Sequence, residues 1–189
     1  MSILKIARMG HPVLRKAAKA IDPKIITTPE IKGLVRDMFE TMVEHNGVGL
    51  AAPQVHMSMQ LALVGGEEND EGHPLIRVVF NPEITPTTDE VFGMYEGCLS
   101  IPGMRGYVER PAAVHVAYHD ADGQRVELDL EGFPAVVMQH ECDHLAGVLY
   151  VDRIEDMSNF AYEEEADRFL PVNEFTDGDE DDPEDDSDE

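Results

Sequence analysis

"AVHVAYHDADGQRVELDL", residues 113–130, is the stretch that sets the fold class. Its first half places Val114, Val116 and Tyr118 at every second position, and its second half does the same with Val126, Leu128 and Leu130. A period of two is what a half-buried strand requires, because successive side chains leave opposite faces. Between the halves, "DADG" (120–123) carries the Asp and Gly of a tight reversal. The two runs are therefore expected to pair antiparallel, with Val114, Val116 and Tyr118 facing Val126, Leu128 and Leu130.

Outward from this hairpin, "QLALVG" (60–65) and "IRVVFNP" (76–82) read as further strands, joined by a polar loop "GEENDEGHP" (66–74). Residues 30–46 place Ile31, Leu34, Val35, Met38, Phe39, Met42 and Val43 at helical spacing, with Thr27, Pro29 and Glu30 as start signals and Gly47 as the stop. A second helix is expected from about Phe133 to roughly Leu149, and "MSNFAYEEEADRFL" (157–170) as a short third. Helices flanking antiparallel or mixed sheets make an α+β class, with an amphipathic helix near the N-terminus and a central helix at 133–149.

A chain of 189 residues that is 42% apolar is the size of one domain with a proper core. Fourteen basic against 39 acidic residues give a net charge of −25, which disfavours broad attraction to nucleic acid or an anionic membrane. Ten carboxylates and no base fall within 176–189, so the expected organisation is a domain over 1–170 and an acidic disordered tail over 171–189. No run of ~18 apolar residues occurs, and "MSILKIARMGHPVLRK" lacks the features of a signal peptide; a cytoplasmic, monomeric protein without membrane contact is expected. Cys98 and Cys142 sit in unlike settings and are read as thiols.

The second helix carries "QHECDHL" (139–145), a His-Glu-x-x-His pattern. On a helix, His140 and His144 stand only about 40° apart around the axis, so both imidazoles can reach one ion. Glu141 lies about 60° from His144, close enough to act on a metal-bound water without ligating the metal. Cys142 points about 160° from the histidines and is read as a core thiol. A catalytic ion usually takes three protein ligands, so one is missing. In the common peptidase pattern it lies downstream, where Glu155 and Glu163 to Glu165 are nondescript surface acids. Upstream, Cys98 in "YEGCLSIPG" (95–103) is the better candidate, since a thiolate binds zinc or ferrous iron strongly. A third stretch, "GVGLAAPQV" (47–55), has glycines that permit close backbone approach and a Gln54 amide able to donate to an oxyanion; it lacks the pattern of a phosphate loop.

Together, "GVGLAAPQ" (47–54), "EGCLS" (96–100) and "QHECDHLAG" (139–147) resemble peptide deformylase, a metalloenzyme that removes the formyl group from the N-terminal methionine of new bacterial proteins. "GHPVLR" (10–15) and "GVLYVDRI" (147–154) agree with the family's outer segments, so the likeness spans about residues 3–155. The resemblance implies Cys98, His140 and His144 as metal ligands, Glu141 as the catalytic acid and base, and Gln54 with the Leu99 N–H as donors to the formyl oxygen. It further implies Gly49 against the substrate main chain, and Val48, Glu96, Arg105, Val136 and Val137 around the methionine pocket. Glu96 has a competing role as partner of a ligating histidine, and Arg110 and Asp143 are expected to form a structural ion pair. The implied cofactor is one divalent ion, physiologically Fe(2+), with Zn(2+), Ni(2+) or Co(2+) able to replace it. The implied partners are N-formylmethionyl nascent peptides. Two departures stand out: Phe133 and Pro134 precede the motif helix, and a run of carboxylates ends the chain where some relatives have a basic ribosome-docking helix. A zincin-type peptidase and a non-catalytic metal-binding relative are the rival readings.

Overall fold

The computed structural model describes residues 2–69 and 71–169, so the acidic tail expected over 171–189 lies outside the described residues. Eight strands and three α-helices occur among the described residues. The strands are β1 (Gly49–Ala51), β2 (Leu61–Glu68), β3 (Pro74–Pro86), β4 (Val91–Cys98), β5 (Ile101–Pro111), β6 (Ala113–His119), β7 (Arg125–Glu131) and β8 (Phe160–Tyr162). The helices are α1 (Pro29–Glu44), α2 (Gly132–Ala146) and α3 (Glu163–Phe169). Five strands form one sheet in the order β1-β2-β3-β6-β7, and β4-β5-β8 form a second. Every pairing of these strands is antiparallel.

The hairpin that opened the sequence reading is β6–β7, in the expected register: Val114 opposite Leu130, Val116 opposite Leu128, Tyr118 opposite Val126. The loop between β2 and β3 is shorter than the sequence suggests. Both strands run on past a register shift between Val64 and Glu67, so that Glu67 pairs with Leu75 and Glu68 with Pro74.

The alternation of β2 explains how the two long helices are placed. Leu61 and Leu63 face one core with Met38 and Met42 of α1, while Ala62 and Val64 face the other with Ala135, Val137 and Met138 of α2. A strand covered on both faces reads as a continuous apolar run, which is what "LALV" is. Helix α1 begins at Pro29, whose missing N–H costs nothing in the first turn, and ends where Asn46 takes a φ of +53° and the Gly47 N–H returns to the Met42 carbonyl at 2.9 Å. Its apolar stripe is wider than the surface it covers. Ile31, Met38 and Met42 are buried, but Phe39 and Val43 on the flank are 44% and 55% exposed.

Helix α2 stops about three residues before the sequence suggests, at Gly147 in the left-handed region with φ +80°. A Cβ there would come within 2.8 Å of the Lys16 amide nitrogen, so the N-terminal segment can close over this helix end only because the residue is glycine. The third helix starts only at Glu163, since 160–162 are drawn into β8 by pairing with Met104–Gly106 of β5. The second sheet, with strands β4 and β5, has no counterpart in the sequence reading; glycines and prolines in "VFGMYEGC" and "IPGMRGYVERP" mask the alternation.

Candidate metal centre

Two neighbouring elements bring three metal-ligating side chains together. Cys98 ends β4 at a two-residue turn, and His140 and His144 project from one face of α2; their ligand atoms all lie within 4.8 Å of one another. Cys98 Sγ stands 3.2 Å from His144 Nε2. Donor atoms sharing one tetrahedral ion are separated by roughly this much.

The surroundings prepare each ligand. His140 Nδ1 is 2.7 Å from Glu96 Oε2, a carboxylate that can only accept, so Nδ1 carries the proton and Nε2 is the free ligating atom. His144 is buried, and burial pushes its pKa well below the ordinary value, which keeps the imidazole neutral as a ligand must be. His140 is pulled down by burial but raised well above the ordinary value by its bonds to Cys98 and Glu96. Cys98 Sγ accepts from the Ser100 N–H at 3.4 Å and from Gln54 Nε2 at 3.5 Å.

Behind His140 lies a buried ionic network. Arg110, only 2% exposed, donates from Nε to Glu96 Oε1 at 2.5 Å, from Nη2 to Oε2 at 3.0 Å, and from Nη1 to Asp143 Oδ2 at 2.8 Å. Arg153 closes the chain on Asp143 with two further bonds. Burial alone would raise the Glu96 pKa, yet the bonds from His140 and Arg110 outweigh it and hold the carboxyl at about 2. The Arg110–Asp143 pair is present as expected, but as one link of this longer network rather than as an isolated contact.

Glu141 is 4% exposed, and its burial raises the carboxyl to about 7. Its Oε2 and the His144 Nδ1 are buried without a protein hydrogen-bond partner. Buried polar atoms in proteins are rarely left unpaired, so both call for an ion, a water or a substrate beside them. Gly49 is packed against Glu141: an added Cβ would lie 2.8 Å from Cδ and closer still to Oε1. Cys142 faces the core, and burial drives its thiol up to about 12, far from ligand chemistry.

A cleft of about 1050 Å³ opens over the centre. Val48, Gly49, Gln54, Glu96, Cys98, Leu99, Arg105, Val136, Val137, His140 and Glu141, all singled out from the sequence, line it; His144 lies behind this wall. The oxygens of Glu96 are taken by Arg110 and His140, which favours its role as a ligand-orienting group over substrate contact. Arg105 is ion-paired with Glu163 at the head of α3. Three participants escaped the sequence reading. Ser100 is buried and accepts from Gln54, Tyr150 stacks on the His140 ring with centroids 6.1 Å apart, and Arg153 anchors the ionic network. Ser100 lies inside the quoted "EGCLS" and was within reach; the other two become neighbours only through the fold.

The model of the polypeptide deformylase family matches residues 3–160. The chain belongs to that family. The peptide deformylase of Leptospira biflexa serovar Patoc is 45% identical over 172 residues, covering 88% of this chain and 96% of that one. Peptide deformylase 1 of Bordetella pertussis is 45% identical over 163 residues, covering 84% and 92%. Among solved structures, the Met-Ala-Ser-bound class I type b peptide deformylase of Acinetobacter baumannii superposes with a TM-score of 0.76 at 39% identity, covering 82% of this chain and all of that one. The Thermotoga maritima peptide deformylase gives 0.73 at 39% identity with the same coverage. Deformylases are metal-dependent enzymes, and the Cys98, His140 and His144 cluster is the donor set this member offers. No described helix is long and apolar enough to cross a membrane.

Proposed function

We propose that this deformylase hydrolyses the formyl group from N-formylmethionyl nascent peptides with a single divalent ion held by Cys98, His140 and His144. The convergence of those three donors beneath a buried Glu141 whose carboxyl sits near pH 7 carries the reading. The donor set fits: one thiolate and two neutral imidazoles leave a divalent ion with a net single positive charge and room for water. Such an ion supplies Lewis acidity and lowers the pKa of a water toward neutrality. Fe(2+) is the proposed physiological ion, with Zn(2+), Ni(2+) or Co(2+) supporting activity.

Glu141 takes the proton of the attacking water on its carboxylate and returns it to the departing amine, so that formate and a free methionyl N-terminus leave. A carboxyl near pH 7 is suited to both transfers, because neither protonation state is strongly disfavoured. Gln54 Nε2 and the Leu99 N–H donate to the formyl oxygen as charge grows on it. Gln54 is held for this task, since its Oε1 accepts from the Ala51 N–H at 2.8 Å and its amide already points at the ligand cluster. Val136 and Val137 on α2, with Val48 and Arg105, frame the methionine side chain, and Gly49 lets the substrate backbone approach Glu141. The zincin-type reading is not favoured, because the third donor is Cys98 and not a residue downstream of α2. Residues 1–170 are proposed as the catalytic domain, with 171–189 an appended acidic segment and the protein acting as a cytoplasmic monomer.

Anaerobically purified, ferrous-loaded protein is expected to release formate from formyl-Met-Ala, and Glu141→Ala to retain one bound ion but lose turnover. No formate from the fully loaded protein would overturn the reading.

A further inference from the structure

The three-stranded sheet carries an ion pair into the wall of the cleft. Arg105 on β5 stands opposite Ala161 of β8, and Glu163 follows two positions later at the head of α3. Opposite residues of an antiparallel ladder share a face, and the diagonal neighbour two positions on is within reach of a long side chain. Glu163 Oε1 accordingly accepts from Arg105 Nε at 3.0 Å and from Nη2 as well. On its other side the Arg105 side chain lies across Gly97, where a Cβ would stand 3.3 Å from Cδ, 3.0 Å from Cζ and closer still to Nη1. The guanidinium is thus held between Glu163 and the backbone of β4, one residue from Cys98. Arg105, Glu163, Val136 and Val137 all line the same cleft.

We propose that Glu163 is a specificity-determining residue: by holding the Arg105 guanidinium it keeps that charge out of the methionine pocket, leaves the aliphatic stem as pocket wall, and so rejects a first residue with a carboxylate side chain. The inference rests on the reading of Arg105 as part of that pocket. A glutamate side chain is close to methionine in length and differs chiefly in its charge, which a cleft can accept only beside a cation or several donors. With Glu163 in place, Arg105 already has its carboxylate, and a second one would meet the repulsion of the first. With Glu163 neutral, the guanidinium offers the planar donor fork that suits a carboxylate best. Lys5 and Arg8 line the cleft too, so the cation responsible has to be identified by substitution.

Formyl-Met-Ala, formyl-Gln-Ala and formyl-Glu-Ala, offered to the ferrous-loaded full chain and to Glu163→Gln, test this. The unaltered protein should disfavour formyl-Glu-Ala against the neutral, equally long formyl-Gln-Ala. Glu163→Gln should raise the kcat/KM ratio of formyl-Glu-Ala to formyl-Gln-Ala by about tenfold to a hundredfold, the range for a hydrogen bond to a charged group. The gain should lie in KM, since the guanidinium meets the side chain and not the formyl group. Adding Arg105→Ala to that variant should abolish it. The two side chains are 40% and 43% exposed, so the fold should tolerate both changes. An unchanged ratio in Glu163→Gln overturns the proposal, as does an equal rise for both substrates, which would mean only a looser pocket. A gain that survives Arg105→Ala also overturns it and assigns the charge to Lys5 or Arg8. Absence of formyl-Met-Ala turnover by the unaltered chain overturns the deformylase reading, and this inference with it.

Discussion

Glu96 Oε2 lies 2.7 Å from His140 Nδ1, and the same carboxylate is gripped from behind by Arg110. The imidazole proposed as a metal ligand is thereby fixed in tautomer and direction by a group that is itself held from behind. Partners of this kind are commonly worth ten- to a hundredfold in metal affinity. Glu96→Ala is expected to raise the dissociation constant for Zn(2+) by about that factor. Competition against a chromophoric chelator measures it, and an unchanged constant would show that the imidazole needs no such support.

Arg110 is the fully buried centre of the network, so removing it strips Glu96 of its guanidinium and leaves Asp143 only the half-exposed Arg153. Arg110→Met should destabilise the protein by about 3–5 kcal/mol in urea unfolding, because the buried Glu96 carboxylate loses its charged partner. Arg153, half in solvent, should cost far less when replaced by Met. Equal losses at the two positions would contradict the burial argument.

The depressed Glu96 carboxyl also fixes a pH dependence. Its folded pKa of about 2 lies below the ordinary 4.5, so the unfolded chain takes up the proton first as pH falls. The stabilisation is fully present above about pH 4.5 and is lost as pH drops toward 2, amounting to about 3 kcal/mol. Urea titrations in EDTA between pH 2 and 6 should show this slope in the unaltered chain and a flatter one in Glu96→Gln.

Gly49→Ala places a methyl group against the Glu141 carboxylate. The carboxylate can yield, so the fold should survive with a melting temperature within a few degrees, whereas a base displaced by about 1 Å costs roughly a hundredfold in kcat/KM. Full activity with formyl-Met-Ala would mean that the observed contact does not position Glu141.

The two thiols should differ sharply. With its pKa pushed up to about 12, Cys142 should resist iodoacetamide at pH 7.5, while Cys98 in chelator-treated protein should be carbamidomethylated. Peptide mass mapping after a timed exposure distinguishes them, and modification of Cys142 first would refute its assignment to the core.

Legibility in the sequence followed periodicity. The β6–β7 register was readable to the residue because alternation and turn chemistry agree over 113–130. Helix α1 was readable too, except that spacing alone could not tell that Phe39 and Val43 face away from the sheet. Strands β4 and β5 were hidden by glycines, of which Gly97 adjoins the Arg105 side chain and Gly106 the Ile154 side chain, so a composition that looks like loop serves close packing. The clustering of Cys98, His140 and His144 could be anticipated from helical arithmetic and motif resemblance. Arg153 and Tyr150 could not, because their relation to His140 depends on how the chain returns after Gly147.

Cys98 belongs to the three-stranded sheet and His140 to a helix packed on the five-stranded one. An ion between them is therefore also a cross-link, closing a loop over the 42 positions from Cys98 to His140. A covalent bridge closing such a loop restricts the unfolded chain by about 4 kcal/mol at 25 °C. Metal loss should thus register as a fall in thermal stability as well as a loss of chemistry, and the seam between the sheets should be the first place where amide protons exchange.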